Sequence, residues 1–165
     1  MEFRDLSLLQ QALTHTSFAN ESKGDIVHNE RLEFLGDAVL ELVTSNYLYR
    51  TYQKESEGKL SKIRASLVCE PTLAGCARDI NLGKYVLLSK GEDMTGGRSR
   101  DSILSDAFEA VIGAIYLDQG IETGYYLTLS EEVSGLTGYY FDEKKVKSVS
   151  EKGYSFEKTQ KLMNY

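Results

Sequence analysis

The sequence predicts an all-α fold, and three observations carry that reading. Two long stretches place apolar and acidic residues at helical offsets, caps and stops punctuate the chain, and no segment alternates convincingly as a strand. Asp5 suits the N-cap of a first helix over 6–14, and 20–25 reads as a polar loop. A long helix starts at His28 or Asn29 and reaches Tyr52. Residues 53–58 form a polar connector, and 59–68 a further helix. Pro71 fits the first turn of the next helix, where a missing N–H leaves nothing unpaired, and Asn81-Leu82-Gly83 is its stop. A short apolar stretch at 85–88 and a glycine-rich loop at 90–100 precede a last helix, which Gly120 closes.

The chemistry lies in the two long helices. In the first, Glu30, Glu33, Asp37 and Glu41 fall at offsets of three, four and seven, so they share one side. Like charges at that spacing repel, and an ordinary solvated face is the plainest explanation of any one pair. The second helix resists that explanation. Ile103, Leu104, Phe108, Val111, Ile112, Ile115 and Leu117 are distributed around it, which marks it as buried, yet it carries Asp106 and Glu109. Carboxylates in such surroundings require a cation, a basic partner or a raised pKa. Neither His15 nor His28 stands at a metal-ligand spacing with the acids, so the donors are hard carboxylate oxygens. That set favours Mg²⁺, with Mn²⁺ as a substitute, and points to phosphodiester hydrolysis.

The segment His28-Asn29-Glu30-Arg31-Leu32-Glu33-Phe34-Leu35-Gly36-Asp37 resembles the signature of the ribonuclease III endonuclease domain. Residues 12–21, 58–68, Gly96-Gly97-Arg98 and the Asp106/Glu109 helix resemble further family segments, in the family's order and spacing. The resemblance implies a helical fold of the ribonuclease III endonuclease-domain type. It implies that Glu33, Asp37, Asp106 and Glu109 are metal ligands, with Asp37 and Glu109 nearest the scissile phosphate, and that Glu30 is a supporting acid. It also implies a homodimer in which Phe34 enters the partner subunit, although an ordinary core phenylalanine reads equally well from the residues alone. The implied activity is cleavage of double-stranded RNA to 5′-phosphate ends with short 3′ overhangs, in processing of ribosomal or messenger precursors. A-form RNA offers a wide minor groove, so recognition would be of shape and backbone.

Two alternatives stand beside this reading. A relative that binds structured RNA without cutting it would share the fold but usually lacks the acids. A carboxylate-bridged di-iron bundle would need Glu-x-x-His pairs, which are absent.

A chain of 165 residues suits one domain with a real core. Residues 1–120 read as the endonuclease-like domain. Residues 121–165 form a divergent segment, either the end of that domain or partly disordered, and leave no room for the usual double-stranded-RNA-binding domain. The net charge of −6 is opposite to that of an ordinary nucleic-acid binder, and bound cations would reverse its sign at the acidic site. Lys59, Lys62 and Arg64, with Arg98 and Arg100, are the candidate phosphate contacts, against the simpler reading of solvated charge. No apolar run of about 18 or more residues and no leader pattern is present, so a cytoplasmic location without a membrane partner is expected. Cys69 and Cys76 would lie roughly 10 Å apart on a helix, too far to bridge, and read as reduced, buried side chains.

Overall fold

The computed structural model describes residues 3–120 and the backbone of residues 139–142 and 145–148. Helix α1 spans Leu6–Ala12, and the Asp5 side chain accepts the Ser7 N–H, satisfying a donor that a helix start leaves open. Helix α2, Thr16–Glu21, begins where the His15 ring accepts the Ser17 N–H. Histidine is not among the usual caps, so this helix had no start signal in the sequence. The long helix α3 is Glu30–Thr51. Helix α4 spans Glu57–Leu67, and α5 spans Glu70–Asp79 with Pro71 in its first turn. Asn81 then adopts the left-handed region at φ 56° and turns the chain into a 3₁₀ turn, Leu82–Lys84. The expected loop at 90–100 is instead largely helical. Ser89 caps α6, Lys90–Met94, and Gly97–Ser99 form a second 3₁₀ turn. Helix α7, Asp101–Gln119, ends at Gly120 with φ 81°.

α7 is the centre of the fold, packed against α3, α5 and α1. One face joins Ala74, Ala77, Leu82, Val86 and Leu88 through Ile103, Leu104 and Ala107. Another joins Ala12 and Leu32 through Ala110 and Ala114. The corner between α1 and α2 is stitched to both sides by backbone bonds. His15 N–H donates to the Leu87 carbonyl at 3.1 Å, Leu87 N–H to Leu13 at 2.7 Å, and Asn29 N–H to Thr14 at 2.9 Å.

The domain is all-α, as the sequence predicts. Outside it, β1, Tyr139–Asp142, pairs antiparallel with β2, Lys145–Ser148, so that Tyr139 faces Ser148 and Asp142 faces Lys145. The sequence shows no convincing strand pattern there. Tyr139, Tyr140, Phe141 and Val146 are good strand formers, but runs of four residues are too short to display a period of two. The readings made of 121–138 and 149–165 lie outside the described residues.

Both cysteines are free, and only Cys76 is buried. Burial pushes its thiol up to about 11. Cys69, expected to be buried, is half-exposed at the N-cap of α5, where its sulfur lies 3.2 Å from the Thr72 hydroxyl. Among the described residues, no helix is long and apolar enough to cross a membrane.

Candidate metal centre

The site is made by a backbone-to-backbone crossing of α3 and α7. A Cβ at Gly36 would collide with the Glu109 carbonyl, and one at Gly113 with the Leu32 carbonyl. Glycine at both positions therefore lets the helices touch. Leu32 lies against Gly113 and Gly36 against Glu109, so the chains run in opposite directions and Glu33 comes level with the acids of α7.

The consequence is a cluster. Glu33, Asp106 and Glu109 each present a carboxylate oxygen, and the three oxygens lie within 4.8 Å of one another. All three residues are half-buried. Burial is the main force raising each carboxyl above its ordinary range, as the apolar runs in the sequence lead one to expect. Glu109 is pushed furthest, to about 7, by burial and then by the charges of Asp37, Glu33 and Asp106. Glu33 is raised by burial, then by Asp106, Glu30 and Asp37. For Asp106, burial is opposed by a contact from the Ser105 hydroxyl, while Glu70 raises it further and His15 lowers it.

Such a donor set fits a divalent cation. Three convergent hard oxygens carry negative charge that nothing of opposite sign in the cluster neutralises, and a doubly charged ion would relieve both the repulsion and the desolvation.

Asp37 is exposed and stands outside the three-oxygen group, yet it is the first neighbouring charge acting on Glu109. Three of the four proposed ligands therefore converge, with the fourth beside them. Glu30 is exposed and lies 3.7 Å from His28 Nδ1, and its charge is among those that raise Glu33. Glu41 is taken out of the acidic stripe by Arg64, whose Nε meets its carboxylate at 2.8 Å.

The basic candidates divide by how their donors are used. Arg98 spends its guanidinium on the fold: Nε and Nη2 bond Asp93 at 2.7 and 3.1 Å, while Nη1 bonds the carbonyls of Gly83 at 3.0 Å and Val86 at 2.8 Å. Arg64 bonds Ser45 at 2.8 Å in addition to Glu41. Arg100 pairs with Glu92. Lys59 bridges to Glu55 one turn back along an exposed surface, and Lys62 is exposed on the same helix.

Phe34 is not a core residue, since 80 % of its surface is exposed. With Ala38 and 56 %-exposed Leu42 it forms an apolar stripe at helical spacing along α3.

Two residues whose charge acts on Asp106 were not among the site residues expected from the sequence. His15 and Glu70 both act on Asp106 from other elements, and no periodicity connects residues so far apart in the chain. His15 lies in the 12–21 segment and stands at no metal-ligand spacing with the acids; in the structure its ring caps α2.

A helical domain with an acidic patch at the crossing of its two longest helices is the class these features define. A family model described as ribonuclease-III-like matches residues 5–133. Ribonuclease 3 of Caldanaerobacter subterraneus subsp. tengcongensis is 59 % identical over 121 residues, covering 73 % of this chain and 53 % of that protein. Ribonuclease 3 of Syntrophomonas wolfei is 57 % identical over 141 residues, covering 83 % and 60 %. A solved nuclease domain of ribonuclease III from Campylobacter jejuni superposes with a TM-score of 0.69 at 52 % identity, covering 73 % of this chain and 81 % of that one. The chain belongs to the ribonuclease III family. It spans about half the length of the curated relatives it matches.

Proposed function

We propose that this chain is the catalytic domain of a divalent-metal-dependent endonuclease acting on double-stranded RNA. The observation that carries the reading is the half-buried Glu33, Asp106 and Glu109 cluster, with Asp37 beside it, at a glycine-enabled helix crossing. Glu33, Asp106 and Glu109 would hold the cation, Mg²⁺ or Mn²⁺ by their oxygen chemistry, and exposed Asp37 would complete the site on its solvent side, near the scissile phosphate. When bound, such an ion supplies Lewis-acid stabilisation of charge at phosphorus and an acidified water. The chain's own acids fix that ion's position and, by repelling one another, leave the site poised to take it up.

A homodimer completes the proposal. The Phe34, Ala38 and Leu42 stripe is an exposed apolar face on the helix that carries Glu33 and Asp37, so a second copy docking there would set two acidic sites on one assembly. The solved Campylobacter jejuni nuclease domain is described as structurally flexible in a region involved in its dimer formation, and that relative's pairing supports the reading. Lys59 and Lys62 are the proposed phosphate contacts, with Arg64 and Arg98 holding the surrounding fold instead. We place its products as 5′-phosphate ends with short 3′ overhangs, its substrates among structured ribosomal or messenger precursors and its setting in the cytoplasm.

The test is incubation of a long RNA duplex with the chain in Mg²⁺ and in EDTA, with product ends mapped. Staggered metal-dependent cuts are expected. Duplex binding without cuts in either condition would instead assign a structured-RNA-binding protein on the same fold.

A further inference from the structure

Helix α4 is held differently from its neighbours. α5, of almost the same length, buries Leu73, Ala74, Cys76 and Ala77, whereas no residue of α4 is buried. Its apolar side meets α3 loosely, with Ile63 and Leu67 lining a cavity of about 90 Å³ together with Tyr47, Leu48 and Tyr52 of α3. Burial therefore contributes little to fixing α4 on α3. The polar ties of Lys59, Ser61 and Ser66 do not supply the difference, because they run to Glu55, Glu57, Ile63 and the first turn of α5. Arg64 does reach α3. Its Nε meets the Glu41 carboxylate at 2.8 Å and its Nη1 donates to the Ser45 hydroxyl at 2.8 Å, while that hydroxyl donates to the Glu41 carbonyl at 2.6 Å. One planar fork thus grips two successive turns of α3, which fixes both the height and the rotation of α4. Glu41 lies one turn beyond Asp37, and the exposed Lys59 and Lys62, three residues apart, project from the side of α4 opposite to Arg64.

We propose that Arg64 is a positioning residue for duplex binding: its two bonds to α3 hold α4 so that Lys59 and Lys62 stand in a set place relative to the acids that α3 carries. The inference rests on the reading of Lys59 and Lys62 as phosphate contacts. Phosphates along a duplex are regularly spaced, so basic groups on one helix serve acids on another only when both are held in one frame. The Arg64 and Glu41 side chains are 37 % and 39 % exposed, so the tie is modest in strength and weakens in salt. Its loss loosens α4 without unfolding the domain, since no α4 residue belongs to either core cluster.

Glu41→Gln is the discriminating substitution. It breaks the ion pair while removing a negative charge, a change that by charge alone would tighten binding to an anionic duplex. Arg64→Ala and the exchanged pair, Arg64→Glu with Glu41→Arg, complete the set. Hydrogen exchange of residues 57–67 and of α7, Mn²⁺ affinity by calorimetry, and affinity for an RNA duplex are measured on the whole chain. The expected result for Glu41→Gln and Arg64→Ala is exchange of residues 57–67 about 2- to 5-fold faster, with α7 exchange and Mn²⁺ affinity at parental values and duplex affinity weaker by a similar factor. The exchanged pair should recover most of both losses. Parental exchange of residues 57–67 in Arg64→Ala would overturn the inference, as would a rise shared equally by α7, or duplex affinity in Glu41→Gln at or above the parent's while Lys62→Ala binds more weakly. Parental duplex affinity in both Lys59→Ala and Lys62→Ala would overturn the phosphate reading instead, and the exchange result would then decide the tie by itself.

Discussion

Glu109 is the residue where burial and charge meet most strongly, and its protonation makes a prediction about stability. Its carboxyl sits at about 7 in the fold against an ordinary 4.5. Between those values the folded chain holds a proton that the unfolded chain has released, so stability contributed by this group is present at low pH and lost as pH rises toward and through 7. Glu33 and Asp106 are raised as well and act in the same direction. In EDTA, Tm should fall between pH 5.5 and 8, Mg²⁺ should reduce the fall, and Glu109→Gln should flatten it; a slope unaltered by that substitution would contradict the burial argument. Arg98 and Lys62 give a contrasting pair at the same scale. Arg98→Ala should lower Tm by several degrees, since it strands Asp93 and the carbonyls of Gly83 and Val86, whereas Lys62→Ala should leave Tm alone and weaken duplex binding with a smaller salt dependence. Equal Tm values for the two variants would remove the distinction. Asp106 and Glu109 were legible in the sequence because acids in an apolar helix have few explanations. The internal use of Arg98 was not, because its partners lie in turns whose geometry only the fold defines.

At the scale of the element, the crossing of α3 and α7 determines whether there is a site at all. Gly36→Ala would force a methyl group onto the Glu109 backbone, an overpacking worth about 1–3 kcal/mol, against which the better helix propensity of alanine returns about 1 kcal/mol. The predicted outcome is a lower Tm together with weaker metal binding, because the shift that relieves the clash also moves Glu33 away from Glu109. A Tm at or above the parent's would mean that the crossing is less tight than described. Helices α3, α5 and α7 could be read in advance from Asn29, Pro71 and Gly120, whose backbone preferences are strong and local. Helices α2 and α6 could not, being short and polar. α2 is capped by a histidine, which is not a usual cap, and α6 by Ser89, whose hydroxyl accepts the backbone N–H of Glu92. The closeness of α3 and α7 was likewise hidden. Gly36 and Gly113 are ordinary in one dimension and meaningful only once each is seen against the other helix.

Across the whole molecule, the α3 face with Phe34 and Leu42 exposed is the feature a single chain leaves unexplained. Phe34→Glu should shift the protein from dimer to monomer in light scattering while leaving its helical circular dichroism unchanged, since the residue makes no part of the monomer core. A wild-type chain that is monomeric throughout would contradict the dimer. The net charge of −6 also takes on meaning at this scale, because part of it belongs to the acidic cluster and would be offset by bound cations. The most direct test of the central claim is to compare the parent chain with Glu109→Gln on the same RNA duplex in Mg²⁺, following binding and cleavage in parallel. The substitution keeps the size of the side chain and removes a charge the cluster needs, so duplex affinity should stay within a few-fold of the parent while cleavage falls by at least about a hundredfold, a loss of roughly 2.7 kcal/mol or more in transition-state stabilisation. Cleavage at the parental rate would show that the acidic crossing of α3 and α7 is not where the chemistry happens.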